Sequence, residues 1–192
     1  MTDTSDIIID DDVITEDEQK HIDKEIFNLP FFMQNATKDI KMMSHIMVNR
    51  DDHLWNEQPF YFFQNILVRF CDKHSLPIDR IYRAAINLGT ENSKHKRTHP
   101  HIDIFREGYK VVIIYLNDVV DEPEYNSTIV YKEKAKDSKE DTIDFSDMNK
   151  LTVEKEIFPK KGRIVCFDGM RYHANYFSKG NEYRCVAVFN FT

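Results

Sequence analysis

Two histidines and one aspartate have the types and the spacing of a metal site. His101 and Asp103 stand two positions apart in Thr98-His99-Pro100-His101-Ile102-Asp103. In an extended strand, this spacing directs both side chains to the same face. His173 supplies a second imidazole from another segment with a strand pattern. Two imidazoles and one carboxylate on one side of an octahedron favour Fe(II) and leave the other side open for substrate and dioxygen.

A hairpin predicted near the C-terminus would bring an arginine to the same site. The segments on either side of Ser178-Lys179-Gly180-Asn181 have strand patterns, and this tetrapeptide has the composition of a turn. With Lys179-Gly180 as a two-residue loop, Asn175 pairs with Arg184, and His173 shares their face. A guanidinium is a forked donor that holds a carboxylate by two hydrogen bonds. The combination suits a dicarboxylate that chelates the metal at one end and is anchored at the other, such as 2-oxoglutarate.

The composition is that of a folded cytoplasmic protein. A chain of 192 residues with 41% hydrophobic residues can form one domain with a sizeable core. The net charge of -7 gives no general attraction to phosphates or anionic lipids, so neither a duplex nucleic acid nor a membrane is an expected partner. The three cysteines are odd in number and widely spaced, which is typical of free thiols in a reducing compartment. No apolar run approaches the ~20 residues of a membrane span.

The first 80 residues are predicted to form a mainly helical N-terminal support. Thr15-Glu16-Asp17-Glu18 is a capping-box pattern, and the helix that it opens ends at Pro30. A second helix is predicted from Pro59 to His74, with an apolar side that packs against a sheet. Residues 40–58 have no clear pattern, although Trp55 is expected to anchor the core. Core positions are also expected at Phe31, Phe32 and Met33.

Strand patterns dominate the chain after the helices. Strands are predicted over 7–9, 80–88, 110–116, 127–131, 151–158, 163–167, 172–177 and 182–191. Residues 132–150 are highly charged without a clear period, which indicates a mobile, solvated insertion. Helices followed by about eight strands indicate an α+β domain whose sheet is a sandwich or barrel. We therefore predict a single domain over 1–192, with its β core in 81–192.

A set of motifs spread over residues 81–191 carries a family resemblance. The motifs are His101-Ile102-Asp103, Ile114-Tyr115-Leu116-Asn117, Pro159-Lys160-Lys161-Gly162-Arg163-Ile164-Val165-Cys166-Phe167, His173 and Arg184. Together they resemble the Fe(II)/2-oxoglutarate-dependent dioxygenases, and within them the prolyl 4-hydroxylase-like branch. The resemblance implies an α+β, mainly β, fold: a double-stranded β-helix, or jelly roll, with N-terminal helices packed on the major sheet.

The resemblance also implies a role for each site residue. By that resemblance, Fe(II) is bound by His101, Asp103 and His173, and the far carboxylate of 2-oxoglutarate by Arg184 and the Tyr115 hydroxyl, while Asn87 also contacts this co-substrate. Family chemistry uses O2 and couples the decarboxylation of 2-oxoglutarate, which gives succinate and CO2, to the hydroxylation of a substrate. Ascorbate is an accessory reductant that the same resemblance allows.

The substrate is not specified by these motifs. Members of the branch often have a Gly-Gly-rich segment where this chain has Tyr125-Asn126-Ser127-Thr128, and many have lysine in place of Arg184. The expected substrate is therefore either a protein or peptide side chain, with proline as one candidate, or a small molecule. The oligomeric state has no signal in the sequence.

Two alternatives stay open on the residues alone. His99-x-His101-x-Asp103 begins the HxHxDH pattern of zinc hydrolases, but Ile104 stands where that pattern needs histidine. His99 is instead expected to be a loop residue near the substrate entrance. The second alternative is a jelly-roll binding module without catalytic activity.

Overall fold

Ten strands and two α-helices form the described part of a computed structural model, which comprises residues 6–37, 40–49, 54–119, 125–180 and 182–192. The strands are β1 (Ile8–Asp10), β2 (Phe32–Thr37), β3 (Ile40–Val48), β4 (Ile81–Gly89), β5 (Lys110–Tyr115), β6 (Thr128–Lys134), β7 (Val153–Ile157), β8 (Ile164–Asp168), β9 (Arg171–Asn175) and β10 (Arg184–Phe191). The helices are α1 (Glu16–Glu25) and α2 (Glu57–Lys73), with short 3₁₀ turns at Ile26–Asn28, Ser138–Glu140 and Phe145–Lys150.

Helix α1 begins where the sequence pattern predicts but ends at Glu25, before the predicted end at Pro30, and α2 begins two residues before the predicted Pro59. The Thr15 hydroxyl accepts the Glu18 N–H at 3.3 Å, and the Glu18 carboxylate accepts the Thr15 N–H at 3.0 Å, so the capping box is confirmed. Helix α2 has Pro59 in its first turn, where a missing N–H costs no helical hydrogen bond. Its buried side consists of Phe60, Phe63, Ile66, Leu67, Phe70 and Cys71.

None of the helices in the described ranges combines the length and the apolar character that crossing a membrane requires.

The strands form two antiparallel sheets. The large sheet has the order β1-β8-β5-β10-β4-β3-β2, and the small sheet has the order β7-β6-β9. Consecutive strands late in the chain alternate between the two sheets: β8 and β10 lie in the large sheet and β9 in the small one. This alternation is the jelly-roll arrangement, so the predicted α+β, mainly β, fold is confirmed.

Strand β5 shows why the core has two layers. Its Val111 and Ile113 lie in a cluster between the two sheets, together with Val130 of the small sheet. Its Val112 and Ile114 face the opposite way, into the cluster that contains α1 and α2. A strand covered on both faces needs a continuous apolar run, which accounts for the sequence of this segment. The helices therefore pack on the outer face of the large sheet, as predicted.

The N-terminal region contains more strand than the sequence pattern indicated. Strands β2 and β3 extend the large sheet beyond β4, across residues that were without a clear pattern or were predicted as core. Because β2 is the last strand of that sheet, Phe32 and Met33 are 63% and 64% exposed, so their prediction as core residues is wrong. The prediction that Trp55 anchors the core is also wrong: Trp55 lies between β3 and α2 and is 58% exposed.

The charged segment 132–150 is more ordered than predicted. Strand β6 continues to Lys134, and residues 141–143 lie antiparallel to residues 100–102. The Ile102 N–H donates to the Asp141 carbonyl at 2.9 Å, and the Ile143 N–H donates to the Pro100 carbonyl at 2.8 Å. Ala135 is buried among residues of β6 and β9, and Ile143 packs against them. This segment thus covers the outer face of the small sheet instead of forming a purely solvated loop.

Candidate metal centre

Backbone pairing brings the two predicted histidine ligands side by side. Residues 97–101 run antiparallel to β9, and His101 lies directly opposite His173. The two residues exchange both main-chain hydrogen bonds, each with a nitrogen–oxygen distance of 2.9 Å. Directly opposed residues present their side chains on the same face, and the ring centroids are 4.6 Å apart. Asp103, two residues after His101, joins them on this face.

The three side chains converge with the geometry of a metal site. The Asp103 oxygens lie 3.9 Å from His101 Nε2 and 3.9 Å from His173 Nε2. One ligand atom from each residue can be chosen so that all three lie within 4.8 Å of one another. His101 Nδ1 lies 2.8 Å from the His99 carbonyl, which can only accept, so Nδ1 carries the proton and Nε2 has a free lone pair. Two imidazoles and one carboxylate are the donors of a facial triad, and these residues fit Fe(II).

The surroundings favour the protonation states that a metal needs. Burial, and secondarily the nearby His101, lower the pKa of His173 to about 4, so its imidazole is neutral at neutral pH. Burial raises the pKa of Asp103, but neighbouring basic side chains and a hydrogen bond from Asn190 outweigh it and hold that pKa below its usual value. A neutral imidazole and an ionised carboxylate are the ligand forms of these groups.

Arg184 reaches the same cavity by a different route from the predicted hairpin. The hairpin prediction is wrong: β9 pairs with β6, whereas β10 pairs with β4 and β5 in the other sheet. The connection between β9 and β10 therefore crosses from one sheet to the other. Arg184 Nη2 nevertheless donates to Thr128 Oγ1 at 2.6 Å, and Thr128 lies opposite Asn175 in the small sheet. The arginine is positioned by the packing of the sheets and not by cross-strand pairing.

Thr128 is a site residue that the sequence did not reveal. Its Oγ1 accepts hydrogen bonds from Arg184 and from the Tyr115 hydroxyl, both at 2.6 Å. A hydroxyl has two lone pairs and one hydrogen, so Thr128 retains a donor for a third partner. Thr128 and Arg184 line the cavity, whereas Tyr115 is 1% exposed and lies behind Thr128. In this structure the Tyr115 hydroxyl donates to Thr128, and its donation to the co-substrate stays a prediction.

Arg184 has the character of an anion-binding residue. It is only 7% exposed, and its Nε is buried without a hydrogen-bond partner among the described residues. A buried guanidinium with unused donors is costly unless a ligand satisfies them. Along β6, Thr128 lies two residues from Val130, the partner of His173, which corresponds to about 7 Å. A five-carbon dicarboxylate chelated at the triad can bridge this separation, so these residues also fit 2-oxoglutarate.

A single cavity of about 470 Å³ contains both parts of the site. Its lining includes the triad, Arg184, Thr128 and the predicted Asn87. The Ser44 hydroxyl donates to Asn87 Oδ1 at 2.8 Å, and both residues are buried. Because the amide oxygen is occupied, the two N–H donors of Asn87 are directed away from Ser44. The sequence could not reveal Ser44, because β3 carries no motif.

His99 does not belong to the metal cluster. Its ring stacks on Phe145, with ring centroids 3.7 Å apart, and its Nδ1 lies 3.3 Å from the Ile143 carbonyl. Among the residues that the structure describes, His101, Asp103 and His173 are the group of three potential ligands. The zinc-hydrolase pattern that begins at His99 is therefore not assembled in space.

No protein-family model and no curated protein matches this sequence. Solved structures do match. An oxidoreductase of the 2OG-Fe(II) oxygenase family from Burkholderia pseudomallei is similar with a TM-score of 0.69 at 16% identity, over 97% of this chain and 85% of that chain. HygX from Streptomyces hygroscopicus, solved with nickel, 2-oxoglutarate and hygromycin B, has a TM-score of 0.63 at 12% identity, over 98% and 83%. A prolyl-4-hydroxylase from Pseudomonas putida has a TM-score of 0.57 at 12% identity, over 98% and 92%. The chain therefore has the fold of the 2-oxoglutarate- and Fe(II)-dependent oxygenases.

Proposed function

We propose that this protein is an Fe(II)- and 2-oxoglutarate-dependent dioxygenase that hydroxylates its substrate and releases succinate and CO2. The observation that carries the proposal is the arrangement within one cavity. A two-histidine, one-carboxylate cluster and a buried arginine with unused donors line the same space. Neither feature alone identifies the reaction, but the pair provides for a metal and for the far end of a dicarboxylate.

Each residue has a defined task under this proposal. His101, Asp103 and His173 hold the iron, which supplies the activation of dioxygen when it is bound. Arg184 and Thr128 donate to the far carboxylate of 2-oxoglutarate, and Tyr115 holds the Thr128 hydroxyl in place.

Asn87 directs its amide N–H groups toward the middle of the co-substrate. Asn87, Thr128 and Arg184 are all buried, so polar contacts to the co-substrate are stronger here than in bulk water.

The proposed substrate is either a peptidyl side chain, with proline as one candidate, or a small molecule. Proteins with this fold include a prolyl-4-hydroxylase and an enzyme solved with hygromycin B, so the fold accommodates both classes. We also infer a cytoplasmic location, because Cys71, Cys166 and Cys185 are buried and unpaired. Burial raises the pKa of each of these thiols to about 12, so none is a reactive thiolate.

An anaerobic titration tests the proposal. The metal-free protein is titrated with Fe(II) and then 2-oxoglutarate, and the visible charge-transfer band of the chelate is followed. We expect a band in the wild type, no band in Asp103→Ala and a weaker band at equal 2-oxoglutarate in Arg184→Ala. Tight zinc binding without a band would contradict the proposal.

A further inference from the structure

Asn190 is a buried amide in an otherwise apolar part of β10. It is 0% exposed and lies in the middle of the large sheet, opposite Val111 of β5 and Arg83 of β4. Burial of an amide costs free energy unless its polar atoms find partners. Its Nδ2 donates to Asp103 Oδ2 at 2.9 Å, whereas its Oδ1 is buried without a partner among the described residues. A buried polar group that is only half satisfied calls for an explanation beyond packing.

The explanation lies in the position of Asp103. This residue follows the paired segment and lies outside the strands, so no β-ladder fixes its backbone. Both histidine ligands, in contrast, are held by the pair of main-chain hydrogen bonds that they exchange. The hydrogen bond from Asn190 ties the Asp103 carboxylate to β10, which is paired with strands on both sides. Asn190 thus supplies, from the large sheet, a direct hydrogen bond to the carboxylate of a residue that no strand pairing holds.

The same bond distinguishes the two carboxylate oxygens. Oδ2 accepts from Asn190 and lies 3.9 Å from His173 Nε2, and Oδ1 lies 3.9 Å from His101 Nε2. We propose that Asn190 is a positioning residue that holds the Asp103 carboxylate in the orientation in which it would bind the iron. This inference rests on the proposed function, because it assumes that the triad binds the metal.

Metal affinity, measured without turnover, tests the inference. Wild type and Asn190→Leu are titrated with Ni(II), a redox-stable probe, by calorimetry. Leucine has a similar shape to asparagine but cannot donate a hydrogen bond. Loss of a residue that is hydrogen-bonded to a metal ligand typically weakens metal affinity by about 10- to 100-fold. We expect Asn190→Leu to lose Ni(II) affinity by that factor. Its far-ultraviolet circular dichroism spectrum should match that of the wild type, which would show that the variant is folded. Asn190→Val, a strand-compatible second variant, is expected to show the same loss and replaces Asn190→Leu if that variant fails to fold.

A double-mutant cycle with Asp103→Ala separates positioning from a general effect on the fold. If Asn190 acts through Asp103, then adding Asn190→Leu to Asp103→Ala should change the Ni(II) affinity less than twofold. An equal loss in both backgrounds would overturn the inference, as would wild-type affinity in Asn190→Leu. If the wild type itself does not bind Ni(II), the proposed function fails, and this inference falls with it. The outcomes of the two proposals are thus distinguishable.

Discussion

Replacing Arg184 with methionine should stabilise the ligand-free protein while weakening co-substrate binding. Arg184 is 7% exposed, and among the described residues no carboxylate forms an ion pair with it and no group accepts a hydrogen bond from its Nε. Methionine keeps the apolar stem and removes the charge. Removing an unsatisfied buried donor relieves about 1–3 kcal/mol, and the lost hydrogen bond to Thr128 offsets part of that gain. We therefore expect a net stabilisation of about 1 kcal/mol, or a rise in Tm of about 2–4 °C for a chain of this size.

Although Arg184→Met should gain stability, it should bind 2-oxoglutarate more weakly than the wild type. Two charge-assisted hydrogen bonds from the guanidinium to a carboxylate contribute about 3 kcal/mol or more, so the Kd for 2-oxoglutarate should rise at least about 100-fold. Calorimetric titration of the Ni(II)-loaded protein with 2-oxoglutarate measures this Kd, and thermal unfolding of the metal-free protein measures the stability.

Arg163→Met is the matched control for the stability measurement. Arg163 is partly buried but forms a two-pronged ion pair with Asp11, at 2.8 and 3.0 Å. The same substitution there should lower Tm, because it leaves the Asp11 carboxylate without this partner. A lower Tm in Arg184→Met, or an unchanged Kd for 2-oxoglutarate, would refute the reasoning about an unsatisfied guanidinium.

Three further predictions concern the groups around the site. The pKa of His173 is about 4 in the folded protein and about 6.5 in the unfolded chain. Between these pH values the unfolded state binds more protons than the folded state. The unfolding free energy should therefore fall as the pH is lowered from 6.5 toward 4. Urea unfolding of the metal-free protein should give a lower unfolding free energy at pH 5 than at pH 7, and this difference should be smaller in His173→Gln. An equal difference in the wild type and the variant would contradict the role of His173 in the pH dependence. Gly169→Ala places a Cβ 2.2 Å from the Tyr109 ring and should cost about 1–3 kcal/mol in urea unfolding, but less in a Tyr109→Leu background. Ser44→Ala removes the donor to Asn87 Oδ1 and should weaken 2-oxoglutarate binding by about fivefold, whereas Ser44→Thr keeps the hydroxyl; equal affinities in all three proteins would exclude a role for this bond.

The three candidate metal ligands were predictable from sequence because local patterns, a two-residue interval and a strand pattern, indicate where their side chains point. The interval between His101 and Asp103 has a fixed meaning in an extended chain, and the strand pattern around His173 is strong. The position of Arg184 was predicted correctly for the wrong reason, since the assumed hairpin does not form. Which strands pair across a sandwich depends on long-range packing, and the local turn composition contains no information about it.

The supporting residues were not predictable, because single polar residues inside strands look alike in sequence. Thr128 and Asn190 acquire their roles only when two sheets come together. The exposed positions of Trp55 and Phe32 have a similar origin: hydrophobicity indicates burial, but it does not show where the sheet ends. Spacing along one strand is local information, whereas contact between sheets is not.

The antiparallel pairing of residues 141–143 with residues 100–102 has a consequence for how this protein can diversify. Thr142 lies opposite His101, and Asp141 and Thr142 both line the cavity. The segment is attached to its neighbour through main-chain hydrogen bonds, which form with almost any side chain in place. Both side chains are exposed, so substitutions there leave the core intact. Mutation can therefore change the surface beside the metal ligand two residues at a time, without disturbing the ligands or the fold that holds them.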